Sequence, residues 1–280
     1  METAATIEET RAIIKAWKAQ GETVGFVPTM GYLHRGHLSL MEKAKKENTK
    51  TVVSIFVNPM QFGPKEDLAT YPRDLQADCL KCQTAGVDLV FCPSVEEMYG
   101  TSFFSYIDMT GPSQGLCGKK RETFFKGVCT VVGKLFNIVA PDRAYFGEKD
   151  AQQLMVVRRM VKDLNFDIEI IGGETVREAD GLAMSSRNSY LDETQRQAAT
   201  VINRALCRGK ALVAQGETSA ARVKEEIRQT IEQEPLATVE YVDIVRCSDT
   251  EPIETLSGEF IAAVAVNIGK VRLIDNFIYK

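Results

Sequence analysis

Both histidines of this 280-residue chain fall in one run, Pro28-Thr29-Met30-Gly31-Tyr32-Leu33-His34-Arg35-Gly36-His37. Imidazole is the side chain whose charge and donor capacity are most easily tuned near neutral pH. A chain that places its whole supply in a single H-x-G-H has marked a chemical site there. Two chemistries fit. A metal could sit between the rings, but a catalytic metal needs a third protein ligand; no third histidine exists, and Glu42 is the nearest carboxylate. Alternatively, both rings donate hydrogen bonds to phosphate oxygens, and their value grows as negative charge builds on a departing pyrophosphate. Gly31 and Gly36 suit the second chemistry, because glycine lets backbone approach a ligand closely. The expectation is a phosphate cradle with no protein-built metal site.

Three further clusters carry polar chemistry. Phe146-Gly147-Glu148-Lys149-Asp150-Ala151-Gln152-Gln153 offers Lys149 as a point charge for phosphates and Asp150 as a helix N-cap or ribose acceptor. The same letters are also ordinary turn-and-cap chemistry. Asp180-Gly181-Leu182-Ala183-Met184-Ser185-Ser186-Arg187-Asn188 can wrap a triphosphate with hydroxyls, backbone N–H groups and a guanidinium fork. Its bland alternative is an exposed interdomain loop capped by serines. Asn58-Pro59-Met60-Gln61-Phe62-Gly63 sets two neutral amides among apolar neighbours, which suits a small polar substrate, or is simply a turn. Cys79 and Cys82 form a C-x-x-C with no second pair and no downstream histidine, so they are expected on a helix face and not on zinc.

These clusters need elements to hold them. Apolar runs at 24–27, 51–57, 89–91, 143–146 and 168–171 are expected strands, the first stopping at Pro28. Helical spacing falls between them at 37–46, 75–84, 128–139 and 151–164. Strands alternating with helices of this length predict an α/β domain over residues 1–175, a Rossmann-like, doubly wound parallel sheet. Such sheets bind ligands outside the carboxyl ends of their strands. That puts the loop 28–36 in the right place, with His37 near a helix start, where unpaired N–H groups and the dipole favour anions. After about Thr175 the pattern changes to helices at 192–215 and 220–233, then strands at 239–245, 260–266 and 271–278. Residues 176–280 are therefore expected to form a smaller C-terminal α+β lid domain, helices plus a short antiparallel sheet, carrying the 184–188 loop.

Composition narrows the partners. A net charge of −4 and a pI near 5.5 leave no global basic surface, which argues against a nucleic-acid partner. Residues 1–20 lack a secretory pattern, and no apolar run approaches membrane-spanning length. Seven scattered cysteines, an odd number, suit reduced thiols in a cytoplasmic protein.

With the motifs in order, the chain resembles the pantothenate synthetase (pantoate–β-alanine ligase) family, part of the H-x-G-H nucleotidyltransferase group related to class I aminoacyl-tRNA synthetases. The resemblance rests on five stretches: Pro28 to His37, Ser54 to Gly63, Tyr71-Pro72-Arg73-Asp74, Phe146 to Gln153, and Met184-Ser185-Ser186-Arg187-Asn188. Each is common alone; together in this order they are specific. The last looks like the counterpart of the mobile K-M-S-K-S loop of the synthetases.

The resemblance implies ATP-dependent ligation of (R)-pantoate and β-alanine through pantoyl adenylate, releasing pyrophosphate and then AMP. It implies His37, His34, Lys149 and Arg187 as catalytic groups, with His37 the proton donor. Met30, Gly31, Tyr32, Leu33, Arg35, Gly36, Gly147, Glu148, Asp150, Val176, Met184, Ser185 and Ser186 would complete the ATP site. Gln61, Gln153 and Asn58 would hold pantoate, and Gln61 would also meet β-alanine. Mg2+ would arrive with the triphosphate, and the enzyme would be a homodimer. One stretch departs from the family's usual His-Phe-Arg-Gly: here it is Phe124-Phe125-Lys126-Gly127, so Lys126 is left out of the expected site. The rivals are a nucleotidyltransferase that stops after the first transfer, and a metal-binding or metallohydrolase protein built on the histidine pair.

Overall fold

The structure is a computed structural model and describes residues 1–64 and 66–280. In chain order the elements are β1 (Glu2–Ala4), α1 (Ile7–Ala19), β2 (Val24–Thr29), α2 (Arg35–Glu47), β3 (Lys50–Ile55), α3 (Leu75–Thr84), β4 (Leu89–Phe91), α4 (Val95–Tyr99), α5 (Phe124–Val139), β5 (Arg143–Gly147), α6 (Ala151–Asp163), β6 (Glu169–Gly173), α7 (Glu193–Ala198), α8 (Thr200–Ala214), α9 (Ala220–Glu232), β7 (Ala237–Arg246), β8 (Phe260–Ile268) and β9 (Val271–Tyr279). The described residues form two compact units. One comprises Met1–Met109, Arg121–Glu148 and Val156–Glu174; the other comprises Thr110–Lys120, Lys149–Met155 and Thr175–Lys280.

In the first unit, six strands lie in the order β1-β4-β3-β2-β5-β6, every described pairing parallel. Val24, Phe26, Val27, Val52, Val53 and all of β4 are fully buried. Continuous apolar strands of this kind need cover on both faces. From β2 the chain first builds outward through β3 and β4, then crosses to the other side for β5 and β6. The switch point therefore lies between β2 and β5. Their ladder is short: it joins Gly25 to Arg143 and Phe26 to Ala144, and there it ends. Both strands run on, β2 through Val27, Pro28 and Thr29, and β5 through Tyr145, Phe146 and Gly147. The sheet is thus unlaced at the carboxyl end of its switch point.

Strand β2 continues to Thr29, past the Pro28 expected to end it. A proline cannot donate to a ladder and is excluded from the middle of fully paired strands. Pro28 lies beyond the last β2–β5 pair, where pairing remains only on the β3 side, so its missing N–H is tolerated. Helix α5 starts at Phe124, four residues before the expected 128. The early start brings Gly127 against the turn at Pro59–Gln61, where a Cβ would stand 2.4 Å from Met60 O and 2.8 Å from Gln61 N. Strands β1 and β6 and helices α1 and α4 add to or adjust the expected pattern; α1 carries a full capping box between Thr6 and Glu9.

The second unit holds the antiparallel sheet β7-β8-β9. Strand β8 is buried at every position but Asn267, so it is covered on both faces. On one face Phe260, Ala262, Val264, Val266 and Ile268 meet Ile202, Leu206, Val223, Ile227 and Ile231 of α8 and α9. On the other, Ile261 and Ala263 meet Leu116, Ala151 and Met155. That packing explains why two short earlier segments join this unit. The helix expected over 192–215 is broken at Ala199 into α7 and α8. Among the described residues, no helix is long and apolar enough to cross a membrane.

Gly127 gives a direct test of the α5 contact. Gly127→Ala forces a methyl into the backbone of Met60 and Gln61, so urea unfolding should show a loss of about 1–3 kcal/mol. An unchanged midpoint would mean that the α5 contact does not depend on the glycine.

Candidate active site

The H-x-G-H loop leaves β2 at the unlaced end. Gly31 and Tyr32 both adopt left-handed backbone, at φ +82° and +50°. Glycine does this freely; a tyrosine does not, so the surroundings must hold it. Buried Asp78 of α3 accepts the backbone N–H of Tyr32 and of Leu33, each at 2.7 Å. Thr29 Oγ1 accepts from Gly31 N at 3.2 Å and donates to Ser54 O, tying the loop to β3.

His34 is the N-cap of α2. Its Nδ1 accepts from Gly36 N at 3.2 Å, and His34 N donates to His37 Nδ1 at 3.3 Å. The two rings lie 4.1 Å apart between centroids, and a Cβ on residue 36 would stand 3.0 Å from the His34 ring. That explains the glycine of the motif. Because each Nδ1 accepts a backbone N–H, each neutral ring carries its proton on Nε2. Both histidines are thereby set as Nε2–H donors at a helix N-terminus, where an anion is favoured. Arg35 instead turns along α2 and pairs with Glu42 through its two terminal guanidinium nitrogens, on the exposed side. Among the described residues, no group of three His, Cys, Asp or Glu side chains could hold a metal.

At the end of β3, Asn58 is buried and fully engaged. Its amide donates to Gln61 Oε1 and Gly127 O, both at 3.1 Å, and its oxygen accepts from Met60 N at 3.2 Å and Tyr99 OH at 2.7 Å. Gln61 takes that bond on its oxygen and donates to Met30 Sδ at 3.0 Å, which ties this turn to the H-x-G-H loop. Arg121 closes the turn from outside: it bonds both oxygens of Glu66 at 2.5 Å and Gln61 O at 3.1 Å. Gly147 ends β5, with nothing within 4 Å of where a Cβ would stand, and Glu148 follows it half-buried.

The second unit holds the remaining expected residues. Lys149, its side chain 19% exposed, pairs with Asp150 at 3.3 Å, and its carbonyl accepts from Asn276. Asp150 belongs to a 3-10 turn spanning Glu148–Asp150. Gln152 is spent internally, on Pro112 O, Gly115 O and Cys117 N, whereas half-buried Gln153 has no such structural duty among the described residues. Met184 N bonds Val176 O at 3.0 Å, closing a hairpin whose Arg177 makes a two-pronged pair with buried Asp275 at 2.6 and 3.0 Å. Ser185 caps the 3-10 helix Ser186–Tyr190 through Arg187 N.

Within the first unit, then, the H-x-G-H loop, Gln61 and Asn58 form one connected group. Within the second, Val176 and Met184 to Arg187 form another. The residues that hold these groups escaped the motifs: Asp78, Tyr99, Arg121, Glu66, Arg177 and Asp275. Asp78 alone left a trace, as an acid on the same helix face as Cys82. Burial disfavours the thiolates of the C-x-x-C, pushing the Cys82 thiol up to about 12 and raising that of Cys79 as well.

The family profile described as pantoate-beta-alanine ligase matches residues 2–278. The chain belongs to the pantoate–β-alanine ligase family. It is 52% identical to the pantothenate synthetase of Clostridium botulinum (strain Loch Maree / Type A3) over 98% of both chains. The crystal structure of pantothenate synthetase from Thermus thermophilus superposes with a TM-score of 0.94 at 47% identity, covering 99% of each chain. The pantoate-beta-alanine ligase from Francisella tularensis, complexed with beta-gamma ATP and beta-alanine, superposes at 0.81 with 36% identity, covering 99% of this chain and 97% of that one. Like its family, the chain is an enzyme, a ligase that joins pantoate to β-alanine with ATP.

The Asn58 hub of this ligase can be tested without substrate. Asn58→Asp puts an oxygen where the amide faces two carbonyl oxygens, so both donated bonds are lost. Urea unfolding should report about 2–3 kcal/mol of lost stability; less than about 0.5 kcal/mol would mean the bonds do not hold the turn.

Proposed function

We propose that this enzyme works in two half-reactions on one face of the unlaced sheet. A carboxylate oxygen of (R)-pantoate attacks the α-phosphorus of ATP; the bond to the bridging oxygen breaks and pyrophosphate leaves. The neutral amine of β-alanine then attacks the acyl carbon of pantoyl adenylate, AMP departs with the C–O electron pair, and the nitrogen sheds one proton to solvent to leave the amide of pantothenate. The carboxylate is a poor acyl donor until its oxygen belongs to a good leaving group, which AMP provides.

The first step asks for alignment and charge stabilisation more than for covalent help. The single observation that carries the assignment is the pair of imidazoles at the N-terminus of α2, each with Nδ1 taken by a backbone N–H, on the loop that the neutral amide of Gln61 bonds through Met30. His34 and His37 donate to the triphosphate, and His37 strengthens its bond as charge reaches the leaving pyrophosphate. From the second unit, Lys149, Ser185, Ser186 and Arg187 hold phosphate oxygens, and Asp150, Val176 and Met184 contact the nucleoside, as does Gly147 from the first. Mg2+ enters as part of the nucleotide substrate, since it keeps phosphate oxygens and water as ligands.

Gln61 and Gln153 orient pantoate, and Gln61 also meets β-alanine. Asn58, with its amide fully committed to protein, orients Gln61 and does not bind substrate directly. Neutral amides suit a hydroxy acid; a phosphorylated acceptor would call for cations in their place. The same reading makes the enzyme a cytoplasmic homodimer, which light scattering should report as twice the 31.1 kDa of the chain.

ATP–pyrophosphate exchange tests the order of steps. Exchange should depend on pantoate and proceed without β-alanine. Exchange with another acid and not with pantoate would move the substrate while leaving the chemistry. Lys149→Ala should slow exchange about 100-fold while leaving the unfolding midpoint nearly unchanged; a variant that unfolds instead would make Lys149 structural.

A further inference from the structure

The H-x-G-H loop is gripped from α3 by two side chains one helical turn apart. Asp78, 1% exposed, takes the N–H groups of Tyr32 and Leu33. It also lies so close to Gly31 that a Cβ there would stand 3.0 Å from its Oδ2. Lys81 donates from Nζ to Leu33 O at 2.7 Å and stands 4.0 Å from the Asp78 carboxylate.

The Leu33 carbonyl belongs to the same peptide group as His34 N–H. That N–H is the donor to His37 Nδ1. An ammonium, a peptide group and an imidazole therefore follow one another in a single hydrogen-bonded series. Bonds in series polarise one another. A charged donor on the carbonyl makes the attached N–H a stronger donor, which holds the proton of His37 on Nε2.

We infer that Asp78 and Lys81 are positioning residues for His37: Asp78 holds the left-handed turn through Gly31 and Tyr32, and Lys81 orients and polarises the Leu33–His34 peptide that fixes the His37 ring. The inference rests on the role of His37 given above. Neither side chain needs to touch substrate. Lys81 acts through one peptide group and one imidazole, and Asp78 through the turn that carries that peptide, so the effect of Lys81 on the rate must vanish when that imidazole is removed. A merely structural role would persist.

That difference makes a double-mutant cycle decisive. Lys81→Met keeps the aliphatic stem and removes the charge from a side chain that is 41% exposed, so the fold is retained. Pantoate-dependent ATP–pyrophosphate exchange is measured for the wild type, Lys81→Met, Asp78→Asn, His37→Ala and the pair His37→Ala with Lys81→Met, with unfolding midpoints alongside. Lys81→Met should lower kcat for exchange about tenfold with KM for pantoate within about twofold. Lys81→Arg should recover part of the loss.

In the His37→Ala background, adding Lys81→Met should change the rate by less than about twofold. Full multiplicativity of the two losses, or an unchanged kcat in Lys81→Met, overturns the positioning role and leaves that of His37 intact. Wild-type exchange in His37→Ala would instead remove the role of His37 and the clamp with it. Should Asp78→Asn fail to fold, the Lys81 cycle decides alone.

Discussion

The structure turns on one missing stretch of ladder. β2 and β5 pair only through Gly25 and Phe26, then part while both strands continue. A parallel sheet has backbone donors and acceptors to spare where neighbours separate, and a switch point is where the connecting helices also part to opposite sides. Helix α2 spans this seam. Its far end is fixed on β5, because Glu47 and Asn48 both bond the buried hydroxyl of Tyr145, at 2.9 and 2.8 Å. Its near end carries His34 and His37. Gly25 has no room for a side chain, since a Cβ would stand 2.5 Å from Asn48 Nδ2, so the seam is tight at one end and open at the other.

The amides of the motifs N-P-M-Q and D-x-Q-Q divide by how much of their hydrogen-bonding capacity the protein already uses. A buried amide must be satisfied. Asn58 spends all of its capacity on Gln61, Gly127, Met60 and Tyr99, and Gln152 spends its own on the segment 112–117. Each stands close in sequence to an amide with less internal duty, Gln61 and Gln153. The motifs N-P-M-Q and D-x-Q-Q thus each pair an amide wholly committed to the protein with one that carries less internal duty. Composition could not tell the members of either pair apart; hydrogen-bond bookkeeping does.

Strands β2 to β5 of the parallel sheet and the H-x-G-H junction are legible in the sequence because their buried stretches are apolar and the histidines have no competitors elsewhere, whereas β1, buried only at Ala4, leaves no such run. The end of β2 is hidden, because Pro28 reads as a breaker until one neighbouring strand is known to have departed. The start of α5 is hidden because Phe124 to Gly127 carries no capping side chain; Thr123 makes no cap bond. Helix α1 escapes the apolar pattern although Thr6 and Glu9 spell its capping box. Among residues of the candidate site, those with distinctive types in tight motifs can be picked out as candidates from the sequence. Asp78, Lys81 and Tyr99 are not, because each acts across tens of residues on a backbone group or an amide, and no local pattern encodes that.

The departure at Phe124-Phe125-Lys126-Gly127 shows which part of this stretch the fold requires. Lys126 lies on the surface, 3.8 Å from Asp108 and over the ring of Tyr106 at 4.7 Å, an exposed pairing of small energetic consequence. Phe124, standing where the family often has histidine, serves as a platform: the Arg121 guanidinium lies 3.8 Å above its ring while forking onto Glu66. A flat apolar ring supports that stacking without competing for the Arg121 donors. The indispensable member is Gly127, whose carbonyl receives Asn58 and whose missing side chain admits the Met60 backbone. Side chains at 124 and 126 can therefore vary while the glycine cannot. The constraint there is the approach of two backbones, and the cation that braces the Asn58–Gln61 turn is Arg121, from the segment just before α5.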